Sequence, residues 1–189
     1  MAKRMKRYYL LYIFLMLYVC YSCNNDNRIA DEIKEMTGRE IVFPSGYKIL
    51  SSNDSLCEHL LQYDNIKVIT FIDNLPCTEC GLRAIRDWGE CIKTINKDVS
   101  YILVVQTEDS KELIGMKDSI QLETPLLFYS TDTFMVANEL NVLTRNKTFL
   151  LNRENKIVLV GEPFGNEKLT QLYKKTIASL KKEYSHKRE

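Results

Sequence analysis

Cys77 and Cys80, separated by Thr78 and Glu79, are the side chains whose type and spacing most directly suggest chemistry. Two thiols three positions apart come within disulfide reach when the chain between them turns as it does at the start of a helix. The flanking sequence predicts such a start. Ile66-Lys67-Val68-Ile69-Thr70-Phe71-Ile72 is rich in branched residues and reads as a buried strand, and Leu82, Ile85, Trp88, Ile92 and Ile95 then share one face of a helix. The first thiol would lie at a helix N-terminus, where unpaired backbone N–H groups and the positive end of the macrodipole favour a thiolate. Cys77 is therefore the candidate nucleophile and Cys80 the resolving thiol.

A thiol moved from pKa about 8.5 to about 7 gains roughly 16-fold in thiolate at pH 7, and a Brønsted slope of about 0.4 to 0.5 takes back roughly 5-fold in nucleophilicity. The larger benefit is a better leaving group and a stabilised reduced form. A structural disulfide is the competing reading, since exported proteins use disulfides for stability, yet closing so short a loop gains little. Zinc would need four ligands, and the further soft candidates Cys57, His59 and Cys91 form no second pair at the required spacing. No metal and no cofactor are expected. Cys91 reads as a buried free thiol at the border of the helix's apolar face, with a Cys57–Cys91 disulfide as the alternative. Asp73 and Glu79 read as solvated loop acids rather than proton shuttles. His59 reads as an exposed helix residue, His186 as part of the tail, and the sequon Asn146-Lys147-Thr148 as chance.

The elements that must position the pair alternate. Asn27 to Met36 reads as a short amphipathic helix ended by Thr37-Gly38, and Pro44-Ser45-Gly46 as a turn before a strand near Tyr47 to Leu50. After the cysteines, Tyr101 to Val105 reads as a buried strand, Ser110 to Ile120 as a helix, Pro125 to Tyr129 as a short strand, and Thr133 to Leu140 as a helix. Thr148 to Leu151 and Ile157 to Val160 flank the polar turn Asn152 to Lys156 as a hairpin. A last amphipathic helix carries Leu169, Leu172, Tyr173, Ile177 and Leu180 on its apolar face. This order predicts an α/β fold with a central mixed sheet flanked by helices.

At 189 residues the chain is long enough for one ordinary domain. Lys3, Arg4, Lys6 and Arg7 run into an apolar stretch from Tyr8 to Tyr21, the pattern of a signal peptide. Its roughly 14 residues would span about 21 Å as a helix, short of a roughly 30 Å hydrocarbon layer. Val19-Cys20-Tyr21-Ser22-Cys23 resembles a bacterial lipobox, with Cys23, preceded by the small Ser22, a better lipid attachment site than Cys20. A plain signal peptide and a short uncleaved anchor are the other readings, and all three export the rest of the chain. The expected organisation is a leader at 1–22, a tether with a short helix at 23–46 and one domain at 47–189. Removing residues 1–22 takes away four basic side chains and no acidic one, so the formal net charge falls from +1 to −3. No nucleic-acid partner is expected at that charge.

From about Ile66 to Leu180 the order of elements resembles the thioredoxin superfamily, and most of all its membrane-tethered bacterial branch of TlpA and ResA type. The carrying motifs are Phe71-Ile72-Asp73-Asn74-Leu75-Pro76-Cys77-Thr78-Glu79-Cys80 and Thr148-Phe149-Leu150-Leu151-Asn152-Arg153-Glu154-Asn155-Lys156-Ile157-Val158. The second is similar to the pattern T-F-L-I-D-x-x-G-K-I-V, and Pro125 to Leu140 is similar to that branch's insertion. The resemblance implies a thioredoxin-like domain in which Cys77 attacks a partner's disulfide and Cys80 releases the partner from the mixed disulfide. It also implies protein disulfide or dithiol partners in the cell envelope, and a membrane held through the N-terminal lipid.

Three positions depart from the family pattern. Pro76 replaces the tryptophan before the first cysteine, Asn146 stands where the family has a cis-proline, and Phe71 where thioredoxin carries a buried acid. A cis bond before a non-proline residue costs about 2.5 to 4 kcal/mol, so Asn146 is not expected to keep that geometry. These departures support a second expectation, a redox-inactive thioredoxin-fold interaction module of an envelope complex. A peroxidase is a third.

Overall fold

The computed structural model describes residues 29–50, 61, 65–73, 78–107, 111, 113, 115, 124–140 and 148–186. The expected leader, Cys20, Cys23, Cys57, His59, Pro76, Cys77 and Asn146 lie outside them, as does most of the expected helix from Ser110 to Ile120. The chain divides into two units, Met1–Met36 and Thr37–Glu189. The described part of the first is a helix at 29–36, followed by Gly38 at φ 88°, a left-handed conformation that glycine adopts without penalty.

The second unit is a six-stranded mixed sheet with described helices α1 (Thr78–Ile95), α2 (Thr133–Ala137) and α3 (Glu167–His186). Its strands are β1 (Lys48–Leu50), β2 (Lys67–Asp73), β3 (Ser100–Gln106), β4 (Leu126–Tyr129), β5 (Thr148–Leu151) and β6 (Ile157–Val160), in the order β1-β4-β3-β2-β5-β6. β2, β3 and β4 run parallel, while β1, β5 and β6 are antiparallel to their neighbours. β2 is thus flanked on both edges, and its residues from Lys67 to Phe71 are all buried. Burial on both faces explains why it lacks an alternation of apolar and polar residues.

On the sheet face that α1 and α3 cover, the core has two neighbouring clusters. Val68, Tyr101 and Leu150 pack with Ile92 and Ile95 of α1 and with Tyr173, Ile177 and Tyr184 of α3. Leu103, Val105, Leu126 and Phe128 form a second cluster, and Trp88 of α1 touches both. Phe71, Tyr129, Phe134 and Phe43 form a chain of rings with centroids 5.4 to 5.9 Å apart. Aromatic rings at such separations gain attraction beyond their buried area.

Residues 38–44 join this unit. The Gly38 N–H donates to the Ile157 carbonyl at 2.8 Å, the Ile157 N–H to the Arg39 carbonyl at 2.9 Å, and the Ile41 N–H to the Asn155 carbonyl at 2.9 Å. Tyr129 donates its hydroxyl to the Pro44 carbonyl at 3.0 Å.

Two expectations need correction. The helix beginning at Thr133 ends at Ala137 rather than Leu140, because Asn138 turns its amide back onto the chain. It accepts from the Val42 N–H at 2.7 Å and donates to the carbonyls of Val42 and Phe134 at 2.8 Å, and Glu139 follows at φ 49°. On α3, Leu172 is 45% exposed rather than part of the apolar face, since a helix turns about 100° per residue and Tyr173 takes the inward position. The buried face instead runs on to Tyr184.

Candidate functional site

The two cysteines belong to the junction between β2 and α1. β2 ends at Asp73 and α1 begins at Thr78, the residue after Cys77, so Cys80 occupies the third position of the helix. Cys77 itself lies outside the described residues, and for Cys80 the place in the helix is what the structure gives. β2 is pinned between β3 and β5, and α1 is fastened to the sheet by Ile92, Ile95 and Trp88. Gly89 allows a close approach there, because a Cβ added to it would meet the Thr124 Oγ1 at 2.9 Å and the Tyr101 ring at 3.5 Å.

Beneath α1 lies a small cleft lined by Thr70, Trp88, Cys91, Thr148, Glu162 and Phe164, among others. Its floor is a hydroxyl chain. Tyr101 donates to the Thr70 Oγ1 at 3.1 Å, and the Thr70 and Thr148 hydroxyls are 3.0 Å apart. Burial holds the Tyr101 hydroxyl well above its ordinary pKa, so it is a neutral donor at any physiological pH. Thr148 opens β5 at the same end of the sheet as Asp73, since Thr70 pairs with Thr148 and Lys67 with Leu151.

Cys91 is a free thiol, half-buried where its place on the helix led us to expect a buried one. Burial pushes its pKa up, nearby Glu162 adds to the rise, and Lys174 opposes it. It is consequently a poorer nucleophile than an ordinary thiol. Burial also raises the Glu162 carboxyl above its ordinary value. Glu162 was not anticipated from sequence. The available signal was an acid between Gly161 and Pro163, directly after the predicted strand Ile157 to Val160.

Phe71, where the resemblance implies a buried acid, is 2% exposed and its ring centroid lies 5.4 Å from that of Phe134. No carboxylate occupies that position. Among the described residues there is no group of three His, Cys, Asp or Glu side chains placed to hold a metal ion. No described helix is long and apolar enough to cross a membrane.

No family model matches the chain, and no curated protein matches it. Solved structures do. A candidate thiol:disulfide interchange protein DsbE from Chlorobium tepidum aligns at TM-score 0.52 and 14% identity, over 76% of this chain and 97% of its own. A thioredoxin-like protein in its oxidised form aligns at TM-score 0.52 and 11% identity, over 75% and 97%. A cysteine-to-serine variant of PrxQ from Xylella fastidiosa aligns at TM-score 0.51 and 13% identity, over 76% and 95%. The fold of this chain is thioredoxin-like, a mixed α/β sheet with helices, as its sequence led us to expect. At these identities the likeness is one of fold.

Proposed function

We propose that this protein is an exported, membrane-anchored thiol-disulfide oxidoreductase of TlpA and ResA type, acting on envelope protein disulfides through Cys77 and Cys80. The observation that supports it is the start of α1 at Thr78, one residue after Cys77 and five after the end of a central buried strand. A helix start there supplies unpaired N–H groups next to the first thiol, which lower a thiol's pKa and stabilise the reduced pair. In the reaction the Cys77 thiolate attacks a partner's disulfide and forms a mixed disulfide, expelling the partner's other sulfur as a thiolate. The Cys80 thiolate then attacks Cys77, releasing the partner as a dithiol and leaving Cys77 and Cys80 oxidised.

The reading is tested by trapping. A Cys80→Ser variant expressed in its cell envelope should accumulate mixed disulfides through Cys77, separable by reductant on a gel. Absence of any such adduct, with partner binding independent of both cysteines, would favour the redox-inactive interaction module. That second reading draws support from Phe71, whose place in the aromatic cluster leaves the domain without the buried acid expected there. Peroxide consumption dependent on Cys77 would point to a peroxidase.

A further inference from the structure

The outward side of α3 carries a row of exposed cations. Lys168, Lys175 and Lys182 recur every seven residues, nearly two helical turns, so they leave α3 almost along one line about 21 Å long. All three are exposed, as are Leu172, Ser179 and His186 on the same face. Glu167 and Glu183 adjoin the stripe beside its first and last lysines, and the positions between carry no acid. This stripe belongs to a chain whose net charge without its leader is −3, so its positive character is local and directional.

The end of α3 lies where the chain joins this unit. The Arg153 N–H in the hairpin turn donates to the Tyr184 hydroxyl at 3.3 Å, and the Arg153 guanidinium lies 4.3 Å from the Tyr184 ring centre. The same hairpin receives the incoming segment, through Gly38 and Ile157. Asp73, which leads to the cysteines, is at the other end of the sheet.

We infer that the outer face of α3 rests on an anionic phospholipid surface, that of the membrane to which the N-terminal lipid holds the chain. The inference rests on the anchored reading proposed above. A straight row of exposed lysines suits a diffuse layer of phosphate groups, because an ammonium is a point charge that needs no paired planar acceptor. Leu172, 45% exposed within the row, supplies an apolar side chain of the kind that interfacial helices bury among headgroups. The fourteen residues from Asn24 to Thr37 keep Gly38 within about 50 Å of a lipid on Cys23 even at full extension, so the stripe meets the surface at high effective concentration. Each lysine close to such a surface strengthens the contact about fivefold, over a range of roughly one Debye length of 8 to 10 Å. The contact should accordingly be weakened by salt.

The test uses the full-length protein purified from membranes and mixed with vesicles of phosphatidylcholine, alone or with about 30% phosphatidylglycerol, then floated on a density gradient. Lysines on the floated protein are acetylated with an amine-reactive reagent and read by mass spectrometry. The expected result is flotation with both vesicles. Modification of Lys168, Lys175 and Lys182 should be at least about threefold slower on the anionic ones and recover at about 0.5 M salt, with Lys93 of α1 as the unaffected reference. Flotation with both and equal modification would overturn the basic contact and leave the anchor standing. Flotation with anionic vesicles alone, abolished by combining Lys168→Gln, Lys175→Gln and Lys182→Gln, would overturn the anchor and leave the contact standing. Flotation with neither would overturn both.

Discussion

The hydroxyls of Thr70 and Thr148 meet at 3.0 Å in a buried site between β2 and β5. Tyr101 also donates to Thr70, so the three hydroxyls are joined in one buried chain. The pair fastens the first residue of β5 to the strand that leads into the cysteines. A neutral buried hydrogen bond contributes about 1 kcal/mol, and leaving a partner unsatisfied costs about 1 to 3 kcal/mol. Thr148→Val should therefore lower the unfolding free energy by about 1 to 2 kcal/mol in urea titrations. Combining it with Thr70→Val should cost about 1 kcal/mol less than the two single losses together. Strict additivity would show that the hydroxyls do not interact.

Phe71 offers a way to ask whether the missing acid can be restored. Its ring is closed in by Phe134 and through it by Tyr129 and Phe43, so a carboxylate there would be stranded in an apolar cavity. Removing a buried phenyl group costs about 3 to 5 kcal/mol before the burial of a polar group is counted. Phe71→Asp should lose more than about 3 kcal/mol by denaturant titration and gain no disulfide-reductase activity. A stable and faster variant would mean that the aromatic cluster is not the reason an acid is absent.

Asn138 binds residues 38–44 to the domain through two hydrogen bonds with the backbone of Val42, and a third, to the Phe134 carbonyl, holds its amide against the end of α2. Asn138→Ala should cost about 1 to 3 kcal/mol, the wide range reflecting how far Val42 can turn to water instead. The diagnostic measurement is amide exchange at Val42, which should accelerate in the variant while exchange in β2 changes in step with global stability alone.

Lys67 gives the pH dependence a sign. It is buried at the start of β2, its Nζ donating to the Asn155 Oδ1 at 2.6 Å, and burial lowers its pKa from 10.5 to about 8. Between those two values the unfolded chain holds the proton that the folded chain has released, so unfolding takes up a proton and stability rises with pH. The penalty of the buried charge is fully present below about pH 8 and fades above it. Stability measured at pH 7.5, 8.5 and 9.5 should increase, and Lys67→Met should flatten the increase. A fall over this range in the wild-type chain would contradict the assignment.

How far the sequence speaks for the fold depends on whether its signals are local. The branched run of β2, the alternating faces of α1 and the hairpin Thr148 to Val160 were all legible, because each is dictated by neighbouring residues. The course of residues 38–44 was not, since their partners Asn155, Ile157 and Asn138 lie about a hundred positions away. The end of α2 escaped for a related reason. Residues through Leu140 are acceptable helix formers, and a side-chain amide engaged with Val42 overrides that preference. At the candidate site, the spacing of Cys77 and Cys80 and the helix that follows were readable. Glu162 and the hydroxyl chain were not, because they come together only when β2, β3, β5 and the segment after β6 are assembled.

The claim that Cys77 and Cys80 form a working redox pair is met most directly by equilibrating the protein in glutathione buffers and following the pair's thiols by alkylation and mass spectrometry. Cys91, with its raised pKa, serves as the internal thiol that no redox pairing should protect. The account predicts a two-electron midpoint above about −300 mV, within reach of cellular dithiol partners. A midpoint well below that value would mark a structural bridge and contradict it.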